Sequence, residues 1–397
     1  MPSLISFPRD LLKASNLIRQ EYFRTYTVAH PKLAQAYDLL RKAITDSIGG
    51  TLLFLYGSTG SGKTTIMRKI EREIALAMLE ELKTNVIRLP VICVPAISPE
   101  TGNFNWKDFF RRVLMALNES FLGKRLNFSK DINQYKSILT MVKDRAVGSE
   151  LRYAVEQNLK LHRPSALLID DAQHIAHIAS GRKYQTQLDC IKSLADVTGV
   201  TIGLIGTYEL LGFRNLSAQL SRRSIDIHLL RYKADVVEDV VAFKNTLWAF
   251  QRHLPLKEEA DLLSNWDLFY ERSIGCIGVL KDWLLRALTI ALRDQEPILT
   301  KQHIESTCLS VAQCNKMLAE ATEGENKLIE TKASRMQLRA FLGLEPNNLP
   351  LDKPKQSVVE KPEQNCEKEL TPLTENHKKT RRYPGRRKPK RDPIIVN

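Results

Sequence analysis

The sequence predicts an α/β fold: a parallel five-stranded sheet, then an all-helical domain, then a polar tail. Five short apolar runs alternate with segments whose apolar residues recur at helical spacing, which is typical of a parallel sheet covered on both faces. From about residue 233 onward the strand-like runs stop and the helical spacing continues. After Pro346 the chain is rich in Pro, Lys, Glu and Asn, and such a segment buries too little apolar surface to offset its ordering entropy.

The predicted elements follow one another in chain order. Residues 1–50 are expected to be helical, because apolar side chains recur at helical spacing at Leu33, Tyr37, Leu40 and Ala43. Strands are predicted where apolar runs are bounded by turn residues, at 51–56, 86–94, 165–169, 200–205 and 225–230. Helices are predicted at 64–82, over most of 105–162, and at 235–252, 256–265, 277–292, 301–320 and 327–341.

The chain is long enough for two to three domains. We divide it into a helical N-terminal segment, an α/β core, a helical domain and a disordered basic tail, at residues 1–50, 51–232, 233–345 and 346–397. Two helix starts have good capping residues. Asn105 is the expected N-cap of a helix that begins at Trp106, and Thr300 is the expected cap of the 301–320 helix.

Charge and cysteine content narrow the class of protein. The formal net charge is +14 over 397 residues, which favours a polyanionic partner, although a solvated basic surface has the same composition. Six cysteines without a C-x-x-C pair indicate a reducing cytoplasm and argue against a disulfide framework. Since no run of about 18 apolar residues occurs, we expect no membrane span and no membrane partner, and the N-terminus has no signal-peptide pattern.

A glycine-rich segment after the first predicted strand matches a phosphate-binding loop. The pattern G-x-x-x-x-G-K-[ST] is met at every fixed position, and a strand before it and a helix after it give the required context. We expect Lys63 to neutralise the β and γ phosphates of ATP, and Thr64 to ligate Mg²⁺. A glycine-rich turn without a ligand is the alternative. The expected nucleotide-binding residues are Gly57, Ser58, Thr59, Gly60, Ser61, Gly62, Lys63, Thr64 and Thr65.

Two acids end the third predicted strand, about 106 residues after the loop. Asp170 is expected to hold Mg²⁺ together with Thr64. Asp171 is expected to orient or deprotonate the attacking water. Two solvated acids at a strand end are the alternative. The loop and the acids together predict nucleotide chemistry and leave the biological purpose open.

Four features together resemble the AAA+ ATPases: the loop, the acidic strand end, Gly206-Thr207 after a further strand, and the downstream helical domain, the lid of that superfamily. Within it, the segments LIDDAQH (168–174), LIGTYEL (204–210) and NWKDFFRR (105–112) are similar to the TnsC/TniB-type transposon target-selection regulators. This resemblance covers roughly residues 20–320. Helicase loaders and origin-binding ATPases share most of these motifs.

The resemblance implies roles for two further residues. Thr207 matches the sensor-1 position, where a polar side chain contacts the γ-phosphate. Arg222 matches the arginine finger, which stabilises transition-state charge at a neighbouring subunit's nucleotide; an ordinary surface pair with Arg223 is the alternative. A finger that acts on a neighbour requires a homo-oligomer, so we expect a ring or a helical filament.

Two positions depart from the resemblance. Asp171 stands where most AAA+ proteins have Glu, and since a misplacement of about 1 Å costs about 100-fold in rate, we expect slow hydrolysis. Gly278 stands where many relatives place a sensor-2 arginine. Lys281, one helical turn further, is a candidate replacement.

Basic residues at the start of the helix beginning at Trp106 are candidate contacts to duplex DNA, because the similar proteins assemble on DNA through the matching segment. These residues are Lys107, Arg111 and Arg112, with Ser129 and Lys130 before the next helix as a second candidate contact. Such groups neutralise phosphates without reading sequence. A solvated amphipathic face is the alternative. In the tail, residues 377–391 hold nine Lys and Arg and no acid, which suits DNA, an acidic partner such as a transposase, or a solubilising tail.

The leading hypothesis is an ATP-dependent regulator of DNA transposition, cytoplasmic and nucleoid-associated in a bacterium. ATP binding drives oligomerisation on target DNA, the oligomer links a target-selector protein to the transposase, and hydrolysis disassembles it. Two alternatives share the ATPase core. One is a loader of a replicative helicase or initiator, and the other is a signalling NTPase that controls a protein scaffold without DNA.

Overall fold

The computed structural model describes residues 6–47, 49–84, 87–98, 103–125, 147–176, 181–214, 224–329 and 331–344. Met1–Glu330 form one compact unit and Thr331–Asn397 a second. Of the second unit, the described part is essentially one helix, whose N-cap Thr331 accepts a hydrogen bond from the backbone N–H of Ser334 (3.0 Å). The predicted tail at 346–397 lies outside the described residues, and the division into four domains stays a prediction.

The five described strands form one parallel sheet in the order β2-β3-β4-β1-β5. They are β1 (Leu52–Gly57), β2 (Val91–Pro95), β3 (Ala166–Asp170), β4 (Thr201–Gly206) and β5 (Ser224–Leu229). Leu52 pairs with Ile202 on one side and with Ser224 on the other, while Pro95 pairs with Asp170. Because all strands run the same way, the loops that follow β1, β3 and β4 meet at one edge of the sheet.

The described helices occur before, between and after these strands along the chain. Before and between the strands they are α1 (Asn16–Thr25), α2 (Pro31–Thr45), α3 (Lys63–Ala77), α4 (Leu79–Thr84), α5 (Trp106–Arg125), α6 (Gly148–His162), α7 (Gln173–Ala176), α8 (Gly181–Thr198) and α9 (Leu211–Arg214). After the last strand come α10 (Val237–His253), α11 (Trp266–Ser273), α12 (Ile277–Arg293), α13 (Lys301–Thr307), α14 (Val311–Leu328) and α15 (Lys332–Phe341). None of these described helices combines the length and apolar character that a membrane span needs.

Both faces of the sheet are covered, and the alternation along β1 shows how. Phe54 packs in a cluster with side chains of α5, α6 and α8, whereas Leu53 and Leu55 pack in a second cluster with α2 and α3. A third cluster lies around the fully buried Trp283 of α12 and includes Phe23 of the N-terminal helix α1. The predicted α/β fold with a five-stranded parallel sheet and a helical region after it is confirmed.

The local helix predictions have a mixed outcome. Asn105 and Thr300 cap their helices, accepting hydrogen bonds from the backbone N–H of Asp108 (3.1 Å) and His303 (3.4 Å). The helix predicted at 256–265 is wrong: this segment is an irregular loop with bends up to a short 3-10 turn, and α11 begins only at Trp266. Its leucines are buried as core contacts of a loop, so their spacing imitates a helical stripe.

Two predicted continuous helices are interrupted. The helix expected at 64–82 breaks at Met78 between α3 and α4. The helix expected at 301–320 ends at Thr307, and a new one starts where Ser310 accepts from the backbone N–H of Gln313 (3.3 Å). A serine that caps its own downstream backbone competes with helix continuation, which the apolar periodicity does not register.

Candidate functional site

The glycine-rich loop connects β1 directly to α3, as predicted. Its backbone turns tightly: the N–H of Ser61 donates to the carbonyl of Ser58 (3.2 Å), and Gly62 has φ +104°, a left-handed conformation that favours glycine. Helix α3 begins at the next residue, so its first N–H groups border the loop. The Ser61 hydroxyl is buried and has no hydrogen-bond partner within the described part of the chain. The loop therefore presents donors suited to an anion at a helix N-terminus.

The ammonium of Lys63 lies inside this loop. Its Nζ donates to the backbone carbonyls of Gly57 (3.0 Å) and Ser58 (2.8 Å), and the residue is only 9% exposed. Burial lowers the pKa of Lys63 to about 8, although the nearby carboxylates of Asp170 and Asp171 act in the opposite direction. A buried cation with two neutral acceptors lacks a full counter-charge here, and a bound polyphosphate would supply one.

Thr64 and Asp170 come together across the sheet edge, although they are far apart in the chain. The Thr64 hydroxyl donates to Oδ2 of Asp170 at 2.9 Å. Burial raises the pKa of the Asp170 carboxyl above its ordinary value, while the Thr64 hydrogen bond and Lys63 lower it. Hydroxyl and carboxylate oxygens are ligands that Mg²⁺ prefers, and a divalent cation would stabilise the ionised form of this buried acid. These two residues thus fit the predicted metal position.

Asp171 and Thr207 are joined through a residue that the sequence reasoning missed. Gln173, at the start of α7, donates from Nε2 to Oδ1 of Asp171 (3.2 Å) and accepts at Oε1 from the backbone N–H of Thr207 (3.2 Å). The Thr207 hydroxyl oxygen is buried and finds no hydrogen-bond partner among the described residues. A glutamine two positions after an acid has no distinctive spacing, so only its position beside β4 reveals the bridge.

A cleft of about 320 Å³ opens beside these residues. The loop contributes Ser58 and Thr59, the strand end after β4 contributes Thr207, and α14 contributes Glu320 and Lys327. The predicted sensor-1 side chain and the loop therefore line one cavity. Helix α14 forms its far wall, which the sequence reasoning did not foresee.

A buried ion pair holds α14 against the core. Glu325 is 3% exposed, and its carboxylate oxygens lie 2.9 Å from Nε of Arg231 and 3.2 Å from Nζ of Lys233. One residue earlier, Gly324 packs directly against the ring of Tyr208. Burial and the Glu325 carboxylate raise the pKa of that Tyr208 phenol. Helix α14 is thus anchored immediately beside Thr207, the predicted sensor-1 residue.

The N-terminus of α12 contacts the loop from the other side. The backbone N–H of Gly278 donates to the carbonyl of Gly60 (2.8 Å), and the Ser58 hydroxyl lies 3.1 Å from the Cys276 sulfur. Gly278 thus occupies the predicted sensor-2 region with a backbone contact in place of an arginine side chain. Lys281 donates to the carbonyl of Arg24 (2.8 Å), on the N-terminal segment.

The candidate DNA-binding helix α5 is anchored by aromatic packing. Trp106, Phe109 and Phe110 contact one another at its start. Arg112 donates to Asp108 (2.6 Å), so one of the candidate cations is paired within its own helix. Lys107 and Arg111 are half-buried near this start. The other candidates, Ser129, Lys130 and the predicted finger residue Arg222, lie outside the described residues.

Comparison with known proteins agrees with this geometry at the level of fold. Residues 47–213 match the family model described as an AAA domain, and the sheet with its loop and acids has the AAA+ P-loop NTPase fold. No curated protein matches the chain.

Solved structures with a similar fold include the Walker-type ATPase paby2304 of Pyrococcus abyssi, at 14% identity, with 77% of this chain and 75% of that chain covered and a TM-score of 0.43. The Aeropyrum pernix ORC2 protein is 12% identical, with 82% and 89% covered and a TM-score of 0.46. The Aeropyrum pernix ORC1 protein, solved in complex with DNA, is 18% identical, with 77% and 70% covered and a TM-score of 0.43.

Proposed function

We propose that this protein is an ATP-hydrolysing switch that regulates DNA transposition. The observation that carries the ATPase assignment is the convergence of Lys63, Thr64 and Asp170 at one edge of the sheet, with the Thr64 hydroxyl 2.9 Å from Asp170. The match of residues 47–213 to an AAA domain supports nucleotide hydrolysis in general terms. The transposition role is supported by the three motif segments that resemble the TnsC/TniB-type regulators.

The chemistry follows from the residues present. On binding ATP, Lys63 exchanges its two carbonyl acceptors for the β and γ phosphates, and the loop N–H groups hold the remaining phosphate oxygens. Thr64 and Asp170 would hold Mg²⁺, which neutralises charge on the leaving group when bound. Asp171 orients a water and takes its proton as the water oxygen attacks the γ-phosphorus and the bond to ADP breaks. The Thr207 hydroxyl gains the γ-phosphate as its partner.

On this proposal the switch acts through assembly. Arg222 of one subunit completes the site of its neighbour, so ATP favours a homo-oligomer, as a ring or a filament. Lys107, Arg111 and Arg112, with Ser129 and Lys130, contact the phosphates of duplex DNA without sequence preference. The ATP-bound oligomer links a target-selector protein to a transposase in the bacterial cytoplasm, and slow hydrolysis at Asp171 limits its lifetime.

The test measures DNA affinity and assembly size with ATP, with a non-hydrolysable ATP analogue and with ADP. We expect both triphosphates to promote assembly on duplex DNA and ADP to reverse it. The double variant Lys107→Glu/Arg111→Glu is expected to abolish DNA-stimulated hydrolysis, whereas the charge-matched control Arg293→Glu/Lys301→Glu, on exposed sites, retains it. Unchanged assembly in all nucleotide states contradicts the switch, and capture of a replicative helicase instead of a transposase contradicts the transposition role.

A further inference from the structure

Gln173 connects Asp171 and Thr207, the two residues expected to lie around the γ-phosphate. Its side-chain amide lies between the carboxylate of Asp171 and the backbone of Thr207, with both hydrogen bonds at 3.2 Å. The residue is 8% exposed, so solvent competes little for either bond. It lies on α7, one residue after Ala172, whose N–H donates to the carbonyl of Ile205 at the end of β4 (2.9 Å). The bridge is therefore fixed to both strand ends.

The amide has one orientation that satisfies both partners. A backbone N–H is a donor only and a carboxylate is an acceptor only, so Oε1 must face Thr207 and Nε2 must face Asp171. In the reversed orientation, Nε2 would face the Thr207 N–H, which is also a donor, and Oε1 would face the Asp171 carboxylate, which is also an acceptor. Gln173 therefore fixes the direction in which the Asp171 carboxylate is held.

Gly206 makes the room for this bridge. A Cβ added at Gly206 would lie 2.2 Å from Oε1 of Gln173 and 2.9 Å from a methyl carbon of Leu210. Any larger residue at that position would displace the amide from between the strand ends. The space that the Gln173 amide needs thus explains why a glycine precedes Thr207, which the sequence pattern alone does not show.

We propose that Gln173 is a positioning residue that couples the sensor-1 residue to the acid that activates water. When the Thr207 hydroxyl contacts the γ-phosphate, the Thr207 backbone is fixed, and the amide of Gln173 transmits that position to Asp171. Asp171 is exposed, has φ +50°, and has a shorter side chain than the Glu that is usual in similar proteins. Its carboxylate therefore needs a hydrogen bond from another residue to stay oriented. The inference rests on the proposed ATP hydrolysis and adds the residue that regulates it.

The decisive variant is Gln173→Glu. It keeps the shape and the acceptor at Thr207, but it places a carboxylate oxygen against the carboxylate of Asp171. We expect kcat for ATP to fall about 10- to 100-fold, because a general base loses its orientation, while KM and the affinity for ATP stay within about twofold. Gln173→Ala is also expected to lower kcat while KM and the affinity for ATP stay close to those of the wild type. Gly206→Ala, which expels the amide while keeping Gln173 in the chain, should lower kcat in the same way.

The matched control is Gln302→Glu, on the exposed surface of α13, which should behave as wild type. Wild-type affinity for ATP in Gln173→Glu shows that its site is folded, so a loss confined to kcat reports positioning. If the wild type hydrolyses ATP and Gln173→Glu retains its kcat, or loses only affinity, the coupling is refuted. If the wild type itself does not hydrolyse ATP, the proposed function fails, and the inference fails with it.

Discussion

Replacing Lys63 by Met should stabilise the unliganded protein while abolishing nucleotide binding. The Lys63 ammonium is 9% exposed and has two neutral carbonyls as its hydrogen-bond acceptors. Methionine fills a similar volume without a charge. On the proposed function, the charge of Lys63 serves phosphate binding, and it lowers the stability of the protein without nucleotide.

The pKa shift gives the size of the effect. Burial lowers the pKa of Lys63 from 10.5 to about 8, which corresponds to a cost of about 3 kcal/mol for the charged form in the folded state. Losing the two hydrogen bonds to carbonyls offsets about 1–2 kcal/mol of that gain. We therefore expect Lys63→Met to raise the free energy of unfolding by about 1–2 kcal/mol near neutral pH.

The sign of the pH dependence follows from the same shift. Below pH 8 the ammonium is charged in both states, and the folded state bears the full cost of burial. Between pH 8 and 10.5 the folded protein releases this proton while the unfolded chain keeps it, so the free energy of unfolding of the wild type rises with pH. The advantage of Lys63→Met should therefore fall by about 2 kcal/mol and disappear by about pH 9.5.

The assay is urea unfolding followed by tryptophan fluorescence in metal-free buffer, near pH 7 and near pH 9.5, with exposed Lys160→Met as the control. Lys160→Met should stay within about 0.5 kcal/mol of wild type at both pH values. ATP with Mg²⁺ should raise the unfolding midpoint of the wild type and leave that of Lys63→Met unchanged. A variant that is less stable than wild type near pH 7, or an advantage that does not change with pH, refutes the reasoning.

Two further substitutions test how α14 is held beside the cleft and how α12 contacts the loop. Glu325→Ala leaves the largely buried Arg231 without its carboxylate and should lower the free energy of unfolding by about 3 kcal/mol. Glu323→Ala, in an exposed pair, should leave the unfolding midpoint close to that of the wild type in the same urea titration. Gly278→Ala places a Cβ 2.3 Å from the carbonyl oxygen of Gly60, so it should weaken ATP binding at least about tenfold in a Kd measurement; unchanged affinity would show that α12 does not shape the loop.

The loop and the strand ends could be predicted because their signals are local. The spacing from Gly57 to Thr64 specifies a turn and a helix start within eight residues, and the apolar run before Asp170 specifies a strand. Since parallel strands bring their carboxyl ends to one edge, the meeting of Thr64 with Asp170 followed from those two patterns.

The contacts of the helical region could not be predicted in this way. Gly278 reaches the loop through a backbone N–H, and any residue except proline has one, so no side-chain pattern marks the contact. The false helix at 256–265 has the same origin, because buried leucines in a loop give the spacing of an amphipathic helix. Apolar periodicity shows which residues are buried. It predicts a helix correctly only where the backbone also forms i to i−4 hydrogen bonds.

The sequence by itself determined the α/β class, the phosphate loop and the acids at Asp170 and Asp171, because each depends on neighbours in the chain. Only the tertiary structure decided what surrounds them: the Gln173 bridge to Thr207, the buried Glu325 that holds α14, and the docking of α12 on the loop. These contacts join residues tens to hundreds of positions apart. Their energies depend on burial and on distance in space, which a linear pattern of residue types does not contain.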